Sequence, residues 1–236
     1  MKASIIMPAY NVERFIGYNL ESIKNQDFPL NELEIIIVND GSTDKTEEVI
    51  TRYIRENGVD IKYSKQNNLG ISAARNKAMS IASGDVLFFV DADDFIHPSC
   101  IRKCVEALDR HPQIGLVYSD HAKINEEGEI IDYELKPDWN FKHFSTFRYN
   151  FVGHIKAART NAVKGILFDP DCPYAEDFDW LLRVAESGVE FLHLPKVLYY
   201  WRRYPESISF RTTKEVRNNL TKKVKEESKR RRKTGS

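Results

Sequence analysis

The strongest constraint on this chain is an alternation. Within its first hundred residues, short runs of large apolar residues alternate four times with segments of helical periodicity. Residues 4–7 form the first run, closed by Pro8, which cannot donate to a sheet ladder. A helix is expected over 12–25, with Val12, Phe15, Ile16, Leu20 and Ile23 at three- and four-residue steps and Asn11 as its N-cap. Residues 33–38 are the second run. A helix over 45–56 follows, with Asp44 and Glu47 spaced as a capping pair. A short strand over 61–64, an Ala-rich helix over 71–82 and the run 86–90 complete the series. Near-continuous apolar runs belong to strands buried on both faces. The alternation specifies an α/β fold, a Rossmann-like, mostly parallel sheet flanked by helices through right-handed crossovers.

In such sheets the ligand lies at the carboxyl ends of the strands. The unusual polar residues of this chain lie there: Tyr10-Asn11, Asp40-Gly41-Ser42 and Asp91-Ala92-Asp93-Asp94. Three carboxylates within four positions repel one another, and burying them unpaired is costly. Two readings are open at this point. One is a hard cation, Mg²⁺ or Mn²⁺, held by oxygen ligands and holding phosphate in turn. The other is an acidic turn with Asp94 capping the next helix.

Beyond Asp94 the rhythm changes. A helix opens at Pro98 and runs to Arg110, a strand covers 115–119, and Asn125-Glu126-Glu127-Gly128 turns a hairpin between 122–124 and 130–132. The aromatic segment 133–149 reads as a satellite core under long loops in preference to a sugar-binding platform. A strand over 153–158, a helix over 176–186 and strands over 191–194 and 197–201 follow. The expected organisation is one catalytic domain over 1–210, with halves 1–97 and 98–210, and a basic tail over 211–236.

The formal net charge of zero leaves no global field to attract nucleic acid. Basic residues nevertheless dominate from Lys214 to Lys233, with Val216, Leu220 and Val224 at helical spacing. That tail reads as an amphipathic helix, either solvated or attracted to anionic lipid. The three cysteines do not suggest a disulfide framework, and Cys100 and Cys104 lack further ligands for zinc. With no signal peptide and no spanning apolar run, the expected location is cytoplasmic, with the inner face of the membrane as a site of peripheral contact.

Five motifs occur in order: Met7-Pro8-Ala9-Tyr10-Asn11-Val12-Glu13; Val38-Asn39-Asp40-Gly41-Ser42-Thr43-Asp44; Gly70 with Ala74-Arg75-Asn76; Asp91-Ala92-Asp93; and Glu176-Asp177 with Leu182-Arg183. Together they resemble the family 2 inverting glycosyltransferases of GT-A fold. The resemblance covers about the first two hundred residues and implies a UDP-sugar donor, a hydroxyl acceptor on a glycan or lipid carrier, and Mn²⁺ or Mg²⁺. It assigns Asp40 to the uracil ring, Asp91 to the ribose or the metal sphere, Asp93 to direct metal contact and Asp177 to the general base. Pro8, Tyr10, Asn11, Glu13, Gly70, Arg75 and Ala92 fall in the same donor-binding motifs. Tyr10 is suited to cover the base, and Arg75 to pair with phosphate or with the acidic cluster. Glu176 and His154 are candidates for the acceptor side.

One departure stands out. The family often carries a histidine in an aromatic-Arg-x-His-x-x-Ser pattern, where it completes the metal sphere. Here Trp201-Arg202-Arg203-Tyr204-Pro205-Glu206-Ser207 has Tyr204 in that place, and neutral tyrosine is a poor ligand for these ions. Arg202 or Arg203 is then expected at the diphosphate. Two rival readings are a binding subunit that has lost catalysis and a nucleotidyltransferase. The latter usually carries a Gly-rich basic phosphate loop, which Pro8-Ala9-Tyr10-Asn11 is not.

Overall fold

The computed structural model describes residues 1–146, 150–207, 210 and 212–234. The first half contains β1 (Ala3–Ala9), α1 (Ile16–Lys24), β2 (Leu33–Asn39), α2 (Thr46–Asn57), β3 (Ile61–Lys65), α3 (Ile71–Ile81), β4 (Val86–Phe89) and β5 (Phe95–Ile96). The second half contains α4 (Cys100–Arg110), β6 (Ile114–Ile124), β7 (Ile130–Glu134), α5 (Phe141–Thr146), β8 (Lys156–Arg159), α6 (Glu176–Glu186), β9 (Glu190–Arg202) and α7 (Lys214–Thr234).

One sheet runs in the order β3-β2-β1-β4-β8-β6-β9-β5, with β7 paired to β6. The first four strands are parallel, as the alternation requires. Beyond β4 the sheet is mixed: β8 runs antiparallel to both β4 and β6, while β9 runs parallel to β6. Alternate residues of the central strands feed two cores. Ile5, Met7, Ile35, Ile37 and Phe88 face one with Ile16, Leu20 and Ile50. Ile6, Ile36, Val38, Leu87 and Phe89 face the other with Ala74, Ala78 and Trp180. This two-sided burial is why the runs are apolar without alternation.

Several boundaries differ from expectation, each for a local reason. β1 continues through Pro8 to Ala9, with Pro8 opposite Val38. Ile6 accepts from Val90 on the β4 side and Ala9 accepts from Asp40 on the β2 side. Pro8 therefore faces the β4 side, past the last β1–β4 pair, Ile6 with Phe89, where no donor is needed. Asn11 does not cap α1. It sits at φ 51°, and its Oδ1 accepts from Thr43 N–H at 2.8 Å instead. The helix starts only at Ile16. The Asp44–Glu47 pair does not close as a box either, because Glu47 is drawn to Lys65. Asp94 is no helix cap but a buried tie, described below.

The strands expected over 115–119 and 122–124 are one, because Asp120 between them is compensated by His193 at 2.9 Å and by Lys136 N–H at 2.7 Å. The last two strands are also one. The register slips between Leu194 and Val197, so Pro195 and Lys196 bulge out of the ladder. The two-residue β5 was too short to leave a sequence signal. All three cysteines are buried free thiols. Trp139, Phe144, Phe151 and Phe191 pack on one another, but as part of the second core of the sheet and not as a satellite. Tyr133 stays outside it, 58% exposed, and Phe147 and Tyr149 lie outside the described residues.

The tail is a helix, but its inner face is already covered. Val224 is buried and Leu220 packs against the same core. Ser228 reaches Glu186, and Arg231 pairs with Glu186 at 2.8 Å and Asp179 at 3.3 Å. Of the apolar stripe expected to meet lipid, Leu220 and Val224 thus turn inward, while Val216 stays 42% exposed. Among the described residues no helix is long and apolar enough to cross a membrane.

At the opposite edge of the sheet from the strand ends considered next, Glu34 is fully buried. Its carboxylate accepts from Ser4 Oγ at 2.5 Å, Ser83 N–H at 2.6 Å and Gly84 N–H at 3.1 Å, and pairs with Lys62 at 2.6 Å. Burial opposes its ionisation, but Lys62, Ser4 and Ser83 hold it down to about 2 from 4.5. A carboxyl lowered by folding stabilises the fold above its unfolded value, and that contribution is lost as pH falls toward the folded value. Glu34→Gln is expected to cost about 2–3 kcal/mol at pH 7. Chemical denaturation should show the difference from the parent closing between pH 4.5 and about 2.

Candidate active site

The loops after β1, β2 and β4 gather at one edge of the sheet and lock one another. Asn11 N–H donates to Ser42 Oγ at 3.1 Å, Glu13 N–H to Asp44 Oδ2 at 3.1 Å, and Lys45 N–H to Glu13 Oε2 at 2.6 Å. Asn11 and Glu13 thus fasten the first two loops together, while Tyr10 stands 46% exposed beside them. Asp40 is buried and organises a third loop. Its Oδ1 accepts from Gln66 Nε2 at 2.8 Å and Leu69 N–H at 2.9 Å, and its Oδ2 from Gly70 N–H at 2.9 Å. With one bond so far, Oδ2 keeps a lone pair for a further donor. Gly41 has φ +77°, and a Cβ there would stand 2.8 Å from Asn68 N, so glycine is required twice over. Gly70, at φ +89°, has open space where a Cβ would go.

The acidic turn after β4 is divided among different partners. Asp91 Oδ1 accepts from Arg75 Nη2 at 2.8 Å, and its Oδ2 lies 3.4 Å from His154 Nε2. Burial works against its charge, yet Arg75, foremost, and Lys156 hold the carboxyl well below the usual range. Arg75 is itself buried and donates through Nη1 to Glu176 Oε1 at 2.9 Å, so one guanidinium ties the β4 turn to the start of α6. Of the two partners expected for Arg75, the acidic cluster is the one it holds. Asp94 is buried, accepting from Tyr199 Oη at 2.6 Å and Arg202 N–H at 2.7 Å. Asn19 Nδ2 holds the carbonyls of Asp91 and Asp94, each at 2.8 Å.

Asp93 is half-buried, and neither Arg75 nor Tyr199 claims it. Burial and the charge on Asp91 push its carboxyl up to about 6. Its Oδ2 accepts from Tyr204 Oη at 2.8 Å, so the residue in the expected histidine place does reach this aspartate. Asp93 Oδ1 meets no side-chain donor among the described residues. An oxygen ligand whose ionisation is hindered by a like charge suits a hard cation, which would relieve the repulsion. The donor set is small. Among the described residues no three His, Cys, Asp or Glu side chains cluster in metal-binding geometry. Ala92 is buried and only packs.

Arg202 is spent on backbone carbonyls. Its Nε donates to the carbonyl of Asp93 at 2.8 Å, and its Nη1 to those of Asn125 and Glu126 at 3.1 and 2.5 Å. Arg203 lies over the Trp201 ring at 5.0 Å. Both arginines expected at the diphosphate thus have other surroundings.

Asp177 stands at the first turn of α6, where the helix dipole favours a carboxylate. The helix is set against the sheet by Trp180, whose ring stacks on Phe168 at 4.8 Å and meets Phe89 edge-on at 5.0 Å. Asp177 Oδ2 accepts from Asn150 Nδ2 at 2.9 Å and lies 3.7 Å from Lys156 Nζ. His154 stacks on Tyr199, with ring centroids 4.8 Å apart, beside the same lysine. Sequence reading missed Asn19, Asn150, Lys156 and Tyr199. Only Lys156 left a trace, as a lone charge among the apolar residues of 155–158.

A sequence profile described as glycosyl transferase family 2 matches residues 4–171. The chain belongs to that family, and its fold is the GT-A α/β fold. It is 29% identical over 230 residues to the minor teichoic acid biosynthesis protein GgaB of Bacillus subtilis (strain 168), covering 91% of this chain and 24% of that protein. It is 28% identical over 227 residues to a chondroitin synthase of Escherichia coli, covering 94% of this chain and 32% of that one. Among solved structures, S. aureus TarS 1-349 in complex with UDP-GlcNAc matches with a TM-score of 0.75 at 26% identity, over 90% of this chain and 62% of that one. The chain therefore spans about a quarter to a third of the length of these curated relatives.

Proposed function

We propose that the chain is the catalytic domain of an inverting glycosyltransferase that moves a sugar from a UDP-sugar to a hydroxyl acceptor in cell-envelope or polysaccharide assembly. One observation carries the reading: the loops after three parallel strands and the start of α6 converge, through Asp40, Arg75 and Asp91, on a cleft holding Asp93 and Asp177. TarS is a structural neighbour bound to UDP-GlcNAc, and GgaB acts in teichoic acid biosynthesis, which favours UDP-linked donors. Residues 1–97 would bind the nucleotide and residues 98–210 the acceptor. Tyr10 would cover the uracil, and Asp40 Oδ2 would accept its N–H.

Asp93, with Asp91 nearby, would hold Mn²⁺ or Mg²⁺, which supplies charge neutralisation for the diphosphate. Asp177 takes the proton of the acceptor hydroxyl as its oxygen bonds to the anomeric carbon. The carbon–oxygen bond to the β-phosphate breaks on the opposite side, and UDP leaves with the electron pair. A single displacement of this kind inverts the centre and needs no enzyme nucleophile.

Calorimetry with UDP and Mn²⁺ tests the nucleotide half of this reading. The parent chain is expected to bind UDP more tightly with the ion than without, and Asp93→Ala to lose at least about tenfold of that affinity. An affinity independent of both Mn²⁺ and Asp93 would refute the metal role. A panel of UDP-sugars separates an active transferase from a subunit that only binds.

A further inference from the structure

Lys156 is a buried charge that the reaction as written does not use. It lies on β8, opposite Phe89 of β4 and Tyr118 of β6, so antiparallel pairing carries it to the strand that ends in the acidic turn. Its side chain is 1% exposed. Burying an ammonium costs several kcal/mol unless a close partner compensates. A close partner would stand about 2.7–2.9 Å away. The nearest carboxylate oxygen, on Asp177, is 3.7 Å away, and the nearest polar atom is His154 Nε2 at 3.2 Å. The arrangement is therefore poor as a stabilising ion pair, and buried charges arranged in this way mark functional sites.

The surroundings aim this charge. Burial, together with Lys156, lowers the His154 imidazole to about 3, so it stays neutral. His154 Nε2 lies 3.2 Å from the ammonium and 3.4 Å from Asp91 Oδ2, while Nδ1 lies 3.4 Å from the Phe89 carbonyl. Arg75, Asp91 and Glu176 also act on Lys156, but Arg75 bonds directly to both of those carboxylates. Asp177 is the carboxylate left for Lys156. On the other side, Asn150 Oδ1 accepts from Val152 N–H at 3.0 Å, which fixes the amide so that Nδ2 points at Asp177 Oδ2, 2.9 Å away.

We propose that Lys156 and Asn150 are positioning residues for Asp177: both approach Oδ2, and Oδ1 is thereby presented as the oxygen that takes the acceptor proton. Asp177 Oδ1 accepts no hydrogen bond among the described residues. The proposal rests on the reading of Asp177 as the base. It makes the lysine a control on which oxygen of the base faces the acceptor.

The decisive comparison is Lys156→Met against the parent and Lys156→Arg, with transfer followed by kcat and by donor and acceptor KM, and UDP affinity by calorimetry. In Lys156→Met, kcat at neutral pH should fall roughly 10–100-fold while UDP affinity stays within about threefold. Lys156→Arg keeps the charge and should transfer faster than Lys156→Met. An unchanged kcat, or a loss of UDP affinity matching the loss of transfer, overturns the proposal. Should Lys156→Met not fold, Asn150→Ala decides: it should lower kcat about tenfold with donor KM unchanged, and an unchanged kcat refutes the positioning. If the parent transfers no sugar, the base reading fails; a parent that transfers, with both variants unimpaired, refutes the positioning alone.

Discussion

Asp177→Asn should bind UDP as the parent does and transfer sugar about 10²–10⁴-fold more slowly, the usual contribution of a general base. Asparagine keeps the size of the side chain and can leave its oxygen where Asn150 and Lys156 approach Oδ2. What it cannot do is accept a proton from an attacking hydroxyl. The neighbouring carboxylate is a poor substitute. Glu176 is tied to Arg75 at 2.9 Å and is pushed up by burial against the pull of that arginine. Single-turnover transfer, with UDP calorimetry on the same protein, is the measurement. Full transfer by the variant would assign the proton to another group and would reopen the placement of the acceptor.

Arg75→Met should be the most destabilising single change in the site. The guanidinium is 4% exposed and bridges Asp91 and Glu176, so its removal leaves two half-buried carboxylates without their cation. Breaking a buried pair in this way costs about 3–5 kcal/mol. For a chain of this size the melting temperature should fall by roughly 10 °C. Arg75→Lys should lie between the two, because one ammonium cannot serve both carboxylates bidentately. A melting curve for Arg75→Met that overlays the parent's would show that the pair is neutralised from elsewhere. Arg75 joins the β4 turn to α6, so the loss should also appear as weaker UDP binding in whatever fraction remains folded.

The parallel half of the fold was legible because its signals are local. Strands buried on both faces must be apolar throughout, so Ile5, Ile36 and Phe88 announce themselves without any knowledge of their neighbours. Gly41 and Gly70 mark turns through backbone conformation alone. The ordered polar loops also placed Asp40, Asp91 and Asp93 at strand ends and Asp177 at a helix start, where the structure has them. Helix starts were less legible: Asn11 has the residue type of a cap, yet a better partner in Thr43 N–H lies on another loop.

The amino-acid sequence by itself thus determined the order of elements, the strand ends that carry the polar motifs, and the family pattern. Only the tertiary structure decided how the charges are shared. Of the three aspartates after β4, Arg75 claims Asp91, Tyr199 claims Asp94, and Tyr204 reaches Asp93. Lys156 meets Asp177 because β8 returns antiparallel beside β4, which no local pattern encodes. The tail's apolar stripe was visible, but its partner, α6, was not. The physical reason is common to all three. Propensity and periodicity act over a few residues, whereas the pairing of buried charges and apolar faces is fixed by contacts between segments distant in the chain.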